Sequence, residues 1–141
     1  MTLSAADRLD ILRVLARADT AATRRDVEGY VALFTDDAVL DGAKGEHQGK
    51  DLLRQSVGPI WAAEGPTSMH RTLNAVADPV EGQADRAVAT SVLLVLTGEK
   101  LTSVHSVSTI VQHLVKVGPD WQIEHRFVRS MTEVPAQQLS S

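Results

Sequence analysis

RRDVEGYVALFTDDAVLDG, residues 24–42, is the stretch that decides how this chain folds. Asp26 stands where the N-cap of a helix belongs, and the residues that follow it have the composition of one short helix. The acidic pair Asp36-Asp37 predicts a turn that closes this helix, and Ala38 to Asp41 begins a strand. A short helix between a longer amphipathic helix and a strand is an unusual order, so the stretch carries information about the whole fold.

Two longer helices are predicted on either side of this stretch. The first begins after Ser4, whose side chain can cap it, and runs to about Arg24. The third runs from Lys50 to Ala63 and is stopped by Gly65-Pro66. The segment Gly45 to Gly49, which contains His47, is expected to be a solvent-exposed loop. The apolar residues of the first helix recur at helical spacing: Ile11, Leu12, Leu15, Ala18 and Ala22.

The second half of the chain is predicted to consist of strands joined by Gly, Pro and Asp turns. The four predicted strands are Met69–Val80, Arg86–Leu96, Thr102–Val117 and Trp121–Met131. Helices followed by a run of antiparallel strands indicate the α+β class. Because apolar residues fall on both faces of these strands, the outer face of the sheet also needs a cover, and we expect a homodimer.

Composition limits the class of protein. The chain has 141 residues, 43% of them hydrophobic, which suffices for one sizeable core. We expect one domain over residues 1–132 and a polar tail over 133–141. There is no cysteine and no histidine pair at helical metal-ligand spacing, so neither a metal nor a cofactor is expected. The net charge of −4, without a basic cluster, argues against nucleic acid and membranes as partners, and the acidic start lacks a signal-peptide pattern, which predicts a cytoplasmic protein.

Four short motifs, taken in this order, resemble one known superfamily. They are Leu33 to Ala38, Gly49-Lys50, His70 with Asn74, and Trp121 to Arg126. The chain resembles the SnoaL-like branch of the nuclear transport factor 2-like superfamily, which includes polyketide cyclases, scytalone dehydratase and, further off, ketosteroid isomerase. The resemblance implies a cone-shaped α+β barrel, in which about three N-terminal helices pack in a strongly curved, mostly antiparallel sheet. It also implies a pocket for cofactor-free acid/base chemistry on a small, mostly apolar or aromatic molecule.

Only part of the catalytic pattern of these relatives carries over. His70 falls on the catalytic histidine of the dehydratases and dehydrochlorinases, and Arg126 falls on an arginine of their last strand. The aspartate that orients that histidine falls on Thr23. Against ketosteroid isomerase, the oxyanion-hole tyrosine falls on Ala18 and the general base on Gly42, which makes steroid isomerisation by that mechanism a poor fit.

Asp19 is the candidate for the missing carboxylate. It lies on the apolar stripe of the first helix, one turn before Thr23, and a carboxylate in such a stripe needs a partner. We expect it to pair with His70, fix the tautomer of the imidazole and stabilise its cation. The alternative is that Asp19 turns toward the rim of the helix and bonds arginine or backbone groups.

The remaining candidates are substrate-binding residues. Asp41 can face the mouth of the pocket at the end of the first strand. Gln112 and His113 are neighbours in a strand, so only one of them faces the pocket, and the sequence leaves open which one. Arg126 can meet a polar group of the substrate. The apolar walls are expected to include Leu15, Phe34 and Trp61, which suits an apolar ligand with one or two oxygen atoms.

Two functions from different classes fit these observations. The first is a cofactor-free dehydratase, isomerase or cyclase in which His70 moves the proton. The second is a noncatalytic small-molecule-binding or dimerisation domain that has lost the catalytic residues of its relatives. The lack of a tyrosine at the position where the relatives polarise a carbonyl favours the second.

Overall fold

The structure, a computed structural model, describes residues 3–131. The predicted tail, 133–141, lies outside the described residues. Two of the helices and the four late strands have ends within three residues of their predicted bounds. The elements in chain order are α1 Ala5–Thr23, α2 Val27–Val31, β1 Phe34–Gly42, β2 Gly45–Gln48, α3 Lys50–Ala62, β3 Ser68–Val80, β4 Gln83–Thr97, β5 Ser103–Val117 and β6 Asp120–Ser130.

The six strands form one curved sheet in the order β2-β1-β6-β5-β4-β3. β1 and β6 run parallel to each other, and the other neighbouring pairs of this sheet are antiparallel. The sheet is not closed, because β2 and β3 remain at its two edges. This architecture confirms the predicted α+β fold, with three N-terminal helices packed in a mostly antiparallel sheet.

The helices cover one face of the sheet, which we call the inner face. Within residues 3–131, no helix is long and apolar enough to cross a membrane. The main core joins the helices to the inner face and includes Ile11, Leu15, Val31, Leu53, Val57 and Trp61 from the helices and Phe34, Leu40, Ala89, Leu114 and Ile123 from the strands.

Side-chain caps fix where α1 and α2 begin. The hydroxyl of Ser4 accepts a hydrogen bond from the backbone N–H of Asp7 at 3.0 Å. A carboxylate oxygen of Asp26 likewise accepts from the N–H of Gly29 at 2.9 Å. A Cβ at position 29 would collide with the Asp26 carboxylate, so glycine is required for this cap to close. Such caps stabilise a helix by about 1 kcal/mol each, which helps to explain how a helix as short as α2 forms.

Two local predictions are wrong. Asp36 and Asp37 do not form a turn, because they lie inside β1, where both remain exposed. The pairing of β1 with β6 shifts register between Phe34 and Val39, and this irregularity lets the two acidic residues stay solvated within a strand. The segment around His47 is not a loop but β2, a short edge strand that pairs with β1.

Candidate active site

Two side chains of helix α1 accept hydrogen bonds from the unpaired edge of β3. The hydroxyl of Thr23 accepts a hydrogen bond from the backbone N–H of His70 at 3.0 Å. The carboxylate of Asp19 accepts one from the N–H of Thr72 at 2.6 Å and another from its hydroxyl at 3.0 Å. These N–H groups have no strand to donate to on this side, so α1 supplies the missing acceptors.

The predicted hydrogen bond between Asp19 and His70 therefore does not form. Asp19 is buried, as its place on the apolar stripe required, but its carboxylate is occupied by Thr72. The alternative reading, in which Asp19 bonds backbone groups, describes the structure better. The residue stabilises the sheet edge, and the ring of His70 has a different partner.

That partner is Glu64. The Nε2 atom of His70 lies 2.8 Å from Oε1 and 2.9 Å from Oε2 of Glu64. Both side chains are almost fully buried, with 7% and 4% of their area exposed. Among the described residues, Nδ1 of the same ring has no hydrogen bond, so it is the ring atom left for chemistry.

Two further groups hold the Glu64 carboxylate in place. The hydroxyl of Ser68 donates to Oε1 at 2.7 Å, and Nη1 of Arg25 donates to the same oxygen at 3.1 Å. Arg25 also donates through Nη2 to the carbonyl of Gly65 at 2.9 Å, which ties it to the chain just after Glu64. Both carboxylate oxygens face the imidazole. Oε1 receives two further hydrogen bonds, from Ser68 and Arg25, and Oε2 receives none from the described residues.

Sequence reasoning missed Glu64 because it lies beyond the end of α3. Ala63 caps that helix, and Gly65 then takes a positive φ of 88°, which turns the chain toward β3. The turn brings Glu64 back over a strand that begins at Ser68. The only signal was an acidic residue directly before a Gly-Pro stop, and that pattern is typical of ordinary solvated helix ends.

The pKa of Glu64 is lowered in the folded protein. Burial acts to raise it, but hydrogen bonds from His70 and Ser68, the charge of the imidazole and the hydrogen bond from Arg25 together outweigh burial. Glu64 is therefore an ionised carboxylate near neutral pH. An ionised carboxylate can only accept, so the hydrogen between the two groups belongs to Nε2 of His70, and whenever the ring is neutral its lone pair is on Nδ1.

This pKa shift predicts how the contribution of Glu64 to stability depends on pH. A depressed pKa contributes stability that is fully present above the ordinary value of 4.5 and is lost as the pH falls through the folded value. At neutral pH, Glu64→Gln should therefore have its unfolding midpoint at a lower urea concentration than wild type. The difference between the two midpoints should narrow below pH 4.5. Urea unfolding across this range measures it. Glu99→Gln, at an exposed turn, is the control that should show no such gap.

A second polar group occupies the inner face on the neighbouring strands β5 and β6. Gln112 is fully buried, and its Oε1 accepts a hydrogen bond from Nη1 of Arg126 at 3.0 Å. The guanidinium of Arg126 is also buried and lies 5.8 Å from the centre of the Tyr30 ring. Gln112 thus faces inward together with Leu114, whereas His113 points to the opposite, outer face, near His125.

Tyr30, from α2, also belongs to this inner group. Its ring packs against Phe34 and Trp61, with ring centres 5.1 and 5.3 Å away. Burial raises the pKa of Tyr30; the charge of Arg126 opposes this rise and the charge of Asp19 adds to it. The phenol is therefore neutral at physiological pH. Leu15, Phe34 and Trp61 are all buried in the core that surrounds it.

Asp41 does not join the inner group. It alternates with the buried Leu40 and pairs with Phe127 on the outer side of the sheet. There its carboxylate forms an ion pair with Arg129 at 3.1 Å. The structure brings together Asp19, Gln112, Arg126 and the apolar wall residues at the inner face, and leaves Asp41 and His113 outside.

Two concavities on the described surface lie apart from these inner groups. One has a volume of about 210 Å3 and the other of about 360 Å3. The first is lined by Arg8, Leu12, Ala75, Val76 and Ala77, and the second by Asp36, Gln48, Gly49, Lys50, Asp51 and Leu52. Neither includes His70 or Glu64.

Comparison with known families decides the relationship. The model of the SnoaL-like domain matches residues 4–127, which is most of the chain. The protein belongs to the SnoaL-like family. The resemblance inferred from the four short motifs is thus confirmed. No curated protein matches the sequence of this SnoaL-like chain.

Solved structures agree with the fold. This SnoaL-like protein is similar to a protein of unknown function with a cystatin-like fold from Nostoc punctiforme, at 28% identity and a TM-score of 0.85, over 96% of this chain and 98% of that one. It is also similar to a putative scytalone dehydratase from Novosphingobium aromaticivorans, at 19% identity and a TM-score of 0.74, over 87% and 83% of the two chains. Aln2 from Streptomyces is 15% identical with a TM-score of 0.81, over 92% and 94%. At the identities of the last two, the similarity concerns the fold alone.

Proposed function

We propose that this SnoaL-like protein acts on a small, mostly apolar molecule by cofactor-free acid/base chemistry of the dehydratase, isomerase or cyclase type. The observation that supports this most is the buried contact between Nε2 of His70 and the carboxylate of Glu64. Glu64 takes the orienting role that we had assigned to Asp19. Because it is held by Ser68 and Arg25, its geometry is set before any ligand binds.

In the proposed reaction, Nδ1 of His70 takes a proton from a carbon of the substrate. The electron pair of the broken C–H bond forms a new double bond or an enolate, and the ring becomes an imidazolium. The negative charge of Glu64 stabilises that cation through the hydrogen bond at Nε2. The imidazolium then returns the proton, to another carbon in an isomerisation or to a leaving hydroxide in a dehydration, which restores the neutral ring.

Hydrogen exchange with solvent tests this proposal. A thermal-shift screen of bicyclic aromatic ketones and phenols selects a ligand that raises the melting midpoint. NMR in D2O then follows loss of the acidic C–H of that ligand. We expect wild type to catalyse the exchange and His70→Gln to abolish it. Exchange at equal rates with both proteins, or none with a ligand that demonstrably binds wild type, would contradict the acid/base role.

The second candidate is a noncatalytic small-molecule-binding or dimerisation domain. The observation in its favour is that His70 and Glu64 are buried and that neither surface concavity described above is lined by them. In that case the pair with Glu64 is a structural contact between the end of α3 and β3. The exchange experiment separates the two candidates, since a structural pair leaves the acidic hydrogen of a bound ligand in place.

We also propose that the protein is a homodimer, whichever candidate holds. The support is the outer face of the sheet, where half-exposed apolar side chains from β4, β5 and β6 lie side by side. This outer patch comprises Val88, Val92, Leu94, Val107, Val111 and Phe127.

A further inference from the structure

The guanidinium of Arg126 is buried without a carboxylate partner. It is 4% exposed, and among the described residues it forms no ion pair. One of its five N–H groups donates to Gln112, and the guanidinium approaches the ring of Tyr30. A buried cation is costly unless an anion or several acceptors compensate for its lost hydration. The fold therefore keeps an expensive charge to which the described side chains offer one hydrogen-bond acceptor, the Gln112 oxygen.

The amide of Gln112 also lacks a hydrogen-bond acceptor. Its oxygen is taken by Arg126, and its Nε2 is buried with no hydrogen-bond partner among the described residues. An amide nitrogen is a donor only, as is a guanidinium. Two neighbouring side chains thus present unused donors at one place on the inner face, without an acceptor to receive them.

Asp19 does not fill this gap. Its charge acts on the phenol of Tyr30, so it lies in the same interior. Its two oxygens are taken by Thr72, however, and it makes no ion pair with Arg126. Asp19 therefore does not supply an acceptor for Gln112 Nε2.

We infer that Arg126 and Gln112 form a binding site for an oxyanion of the ligand, either a carboxylate or an enolate, attached to a small apolar or aromatic body. One oxyanion can accept charge-assisted hydrogen bonds from both the guanidinium of Arg126 and the unpartnered Nε2 of Gln112. The rings of Tyr30, Phe34 and Trp61 are the neighbouring apolar surface for the body of the ligand. The ligand thus carries an oxygen that is or becomes negatively charged, and it is not a pure hydrocarbon.

This inference rests on the proposed function only for its assumption that the interior binds a ligand. The two sites are separate along the sheet. His70 pairs with Val95 of β4, whereas Gln112 pairs with Ala89, six residues earlier on the same strand. Binding of the oxyanion can therefore be measured in a protein whose His70 has been replaced.

The experiment is a titration with benzoate and with benzamide, which have the same size and differ in charge. Two-dimensional 15N NMR observes the side-chain N–H signals of Gln112 and Arg126 directly, and Gln112→Met identifies the amide signals. We expect benzoate to shift both sets of signals saturably and benzamide to bind at least about tenfold more weakly, the effect of losing one charged hydrogen bond. Absence of a saturable shift with benzoate, or equal binding of benzamide, would overturn the inference.

Substitutions at the two donor residues test the same site in a second experiment. The double variant Arg126→Met with Gln112→Met replaces the donors by apolar side chains of similar length, and such exchanges of buried polar groups usually preserve folding. We expect it to lose benzoate binding by at least about tenfold. Arg129→Met, on the same strand but exposed on the outer face, should bind benzoate like wild type. Unchanged binding in the double variant would show that the donors are structural only.

His70→Gln separates this inference from the proposed function. We expect it to bind benzoate as wild type does, even though it catalyses no hydrogen exchange. If benzoate binding is intact and wild type catalyses no exchange with any bound ligand, the acid/base proposal fails while the oxyanion site stands. If exchange occurs and benzoate does not bind, the oxyanion site fails alone.

Discussion

Glu64→Gln is expected to lower turnover of the substrate by about 10²- to 10⁴-fold, the usual contribution of a positioned acid/base group. The reason lies in the different surroundings of the two carboxylate oxygens. Oε1 receives hydrogen bonds from Ser68 and Arg25, so the single oxygen of a glutamine will occupy that position. The NH2 group must then take the position of Oε2, 2.9 Å from Nε2 of His70.

A donor at that position competes for Nε2 with the amide oxygen at the Oε1 position, which lies 2.8 Å from the same nitrogen. A ring that accepts from the NH2 group carries its hydrogen on Nδ1 and loses the base that faces the substrate, and a ring that keeps its tautomer has no carboxylate beside its cation. The negative charge that stabilised the imidazolium is lost at the same time. The change is almost isosteric, so packing around the site stays intact, and the variant, although less stable than wild type, is folded under the conditions in which turnover is measured.

Asp19→Asn is the matched control for this prediction. It makes the same chemical change in the other buried carboxylate of the inner face, whose partners are the N–H and the hydroxyl of Thr72. An asparagine can accept from that N–H and donate to that hydroxyl, so turnover should stay close to wild type. Steady-state kinetics of the three proteins decide the matter. Equal losses in the two variants, or a Glu64→Gln enzyme as fast as wild type, would contradict the role of Glu64.

The contrast between Asp19 and Glu64 shows how far sequence reasoning reaches. Periodicity correctly placed Asp19 in the core, because burial on a helix depends on spacing along the chain. Its partner depends on which backbone groups a sheet leaves unpaired, and β3 becomes an edge only when the strand order is known. Glu64 meets His70 through a turn at Gly65, and no periodic pattern includes a residue at such a turn.

The inner and outer faces of the strands illustrate the same limit. Strand positions were predictable from runs of alternating apolar residues, and the motif match singled out His70 and Arg126 as candidates. Which of Gln112 and His113 faces inward was not predictable, because the residues that flank them along the strand are compatible with either face. The structure decides it through Leu114, whose burial fixes the parity of β5 and turns Gln112 inward. A buried glutamine beside a buried arginine is recognisable only once both lie on paired strands.

Val111→Asp should convert the proposed homodimer to a monomer at micromolar concentration. Val111 lies in the outer patch, between Thr90 of β4 and Phe127 of β6. The outer faces of β4, β5 and β6, three strands about 4.8 Å apart and 11 to 15 residues long, present a footprint of about 600 Å2, or about 1,200 Å2 for two copies. That area reaches the lower end of stable interfaces, so the outer patch suffices for a dimer if two copies pack it face to face.

A carboxylate in the middle of such a patch has no partner to compensate its desolvation. Near the two-fold axis of a homodimer, the variant would also bring two like charges close together. We expect the dissociation constant to rise by about 100-fold or more, which corresponds to about 3 kcal/mol.

Ala16→Asp adds the same charge on the exposed side of α1 and should leave the dimer intact. Sedimentation velocity over a concentration series measures all three proteins, with circular dichroism to check that the variants are folded. A monomeric wild type at micromolar concentration, or a Val111→Asp protein that still sediments as a dimer, would show that the outer patch is not the interface.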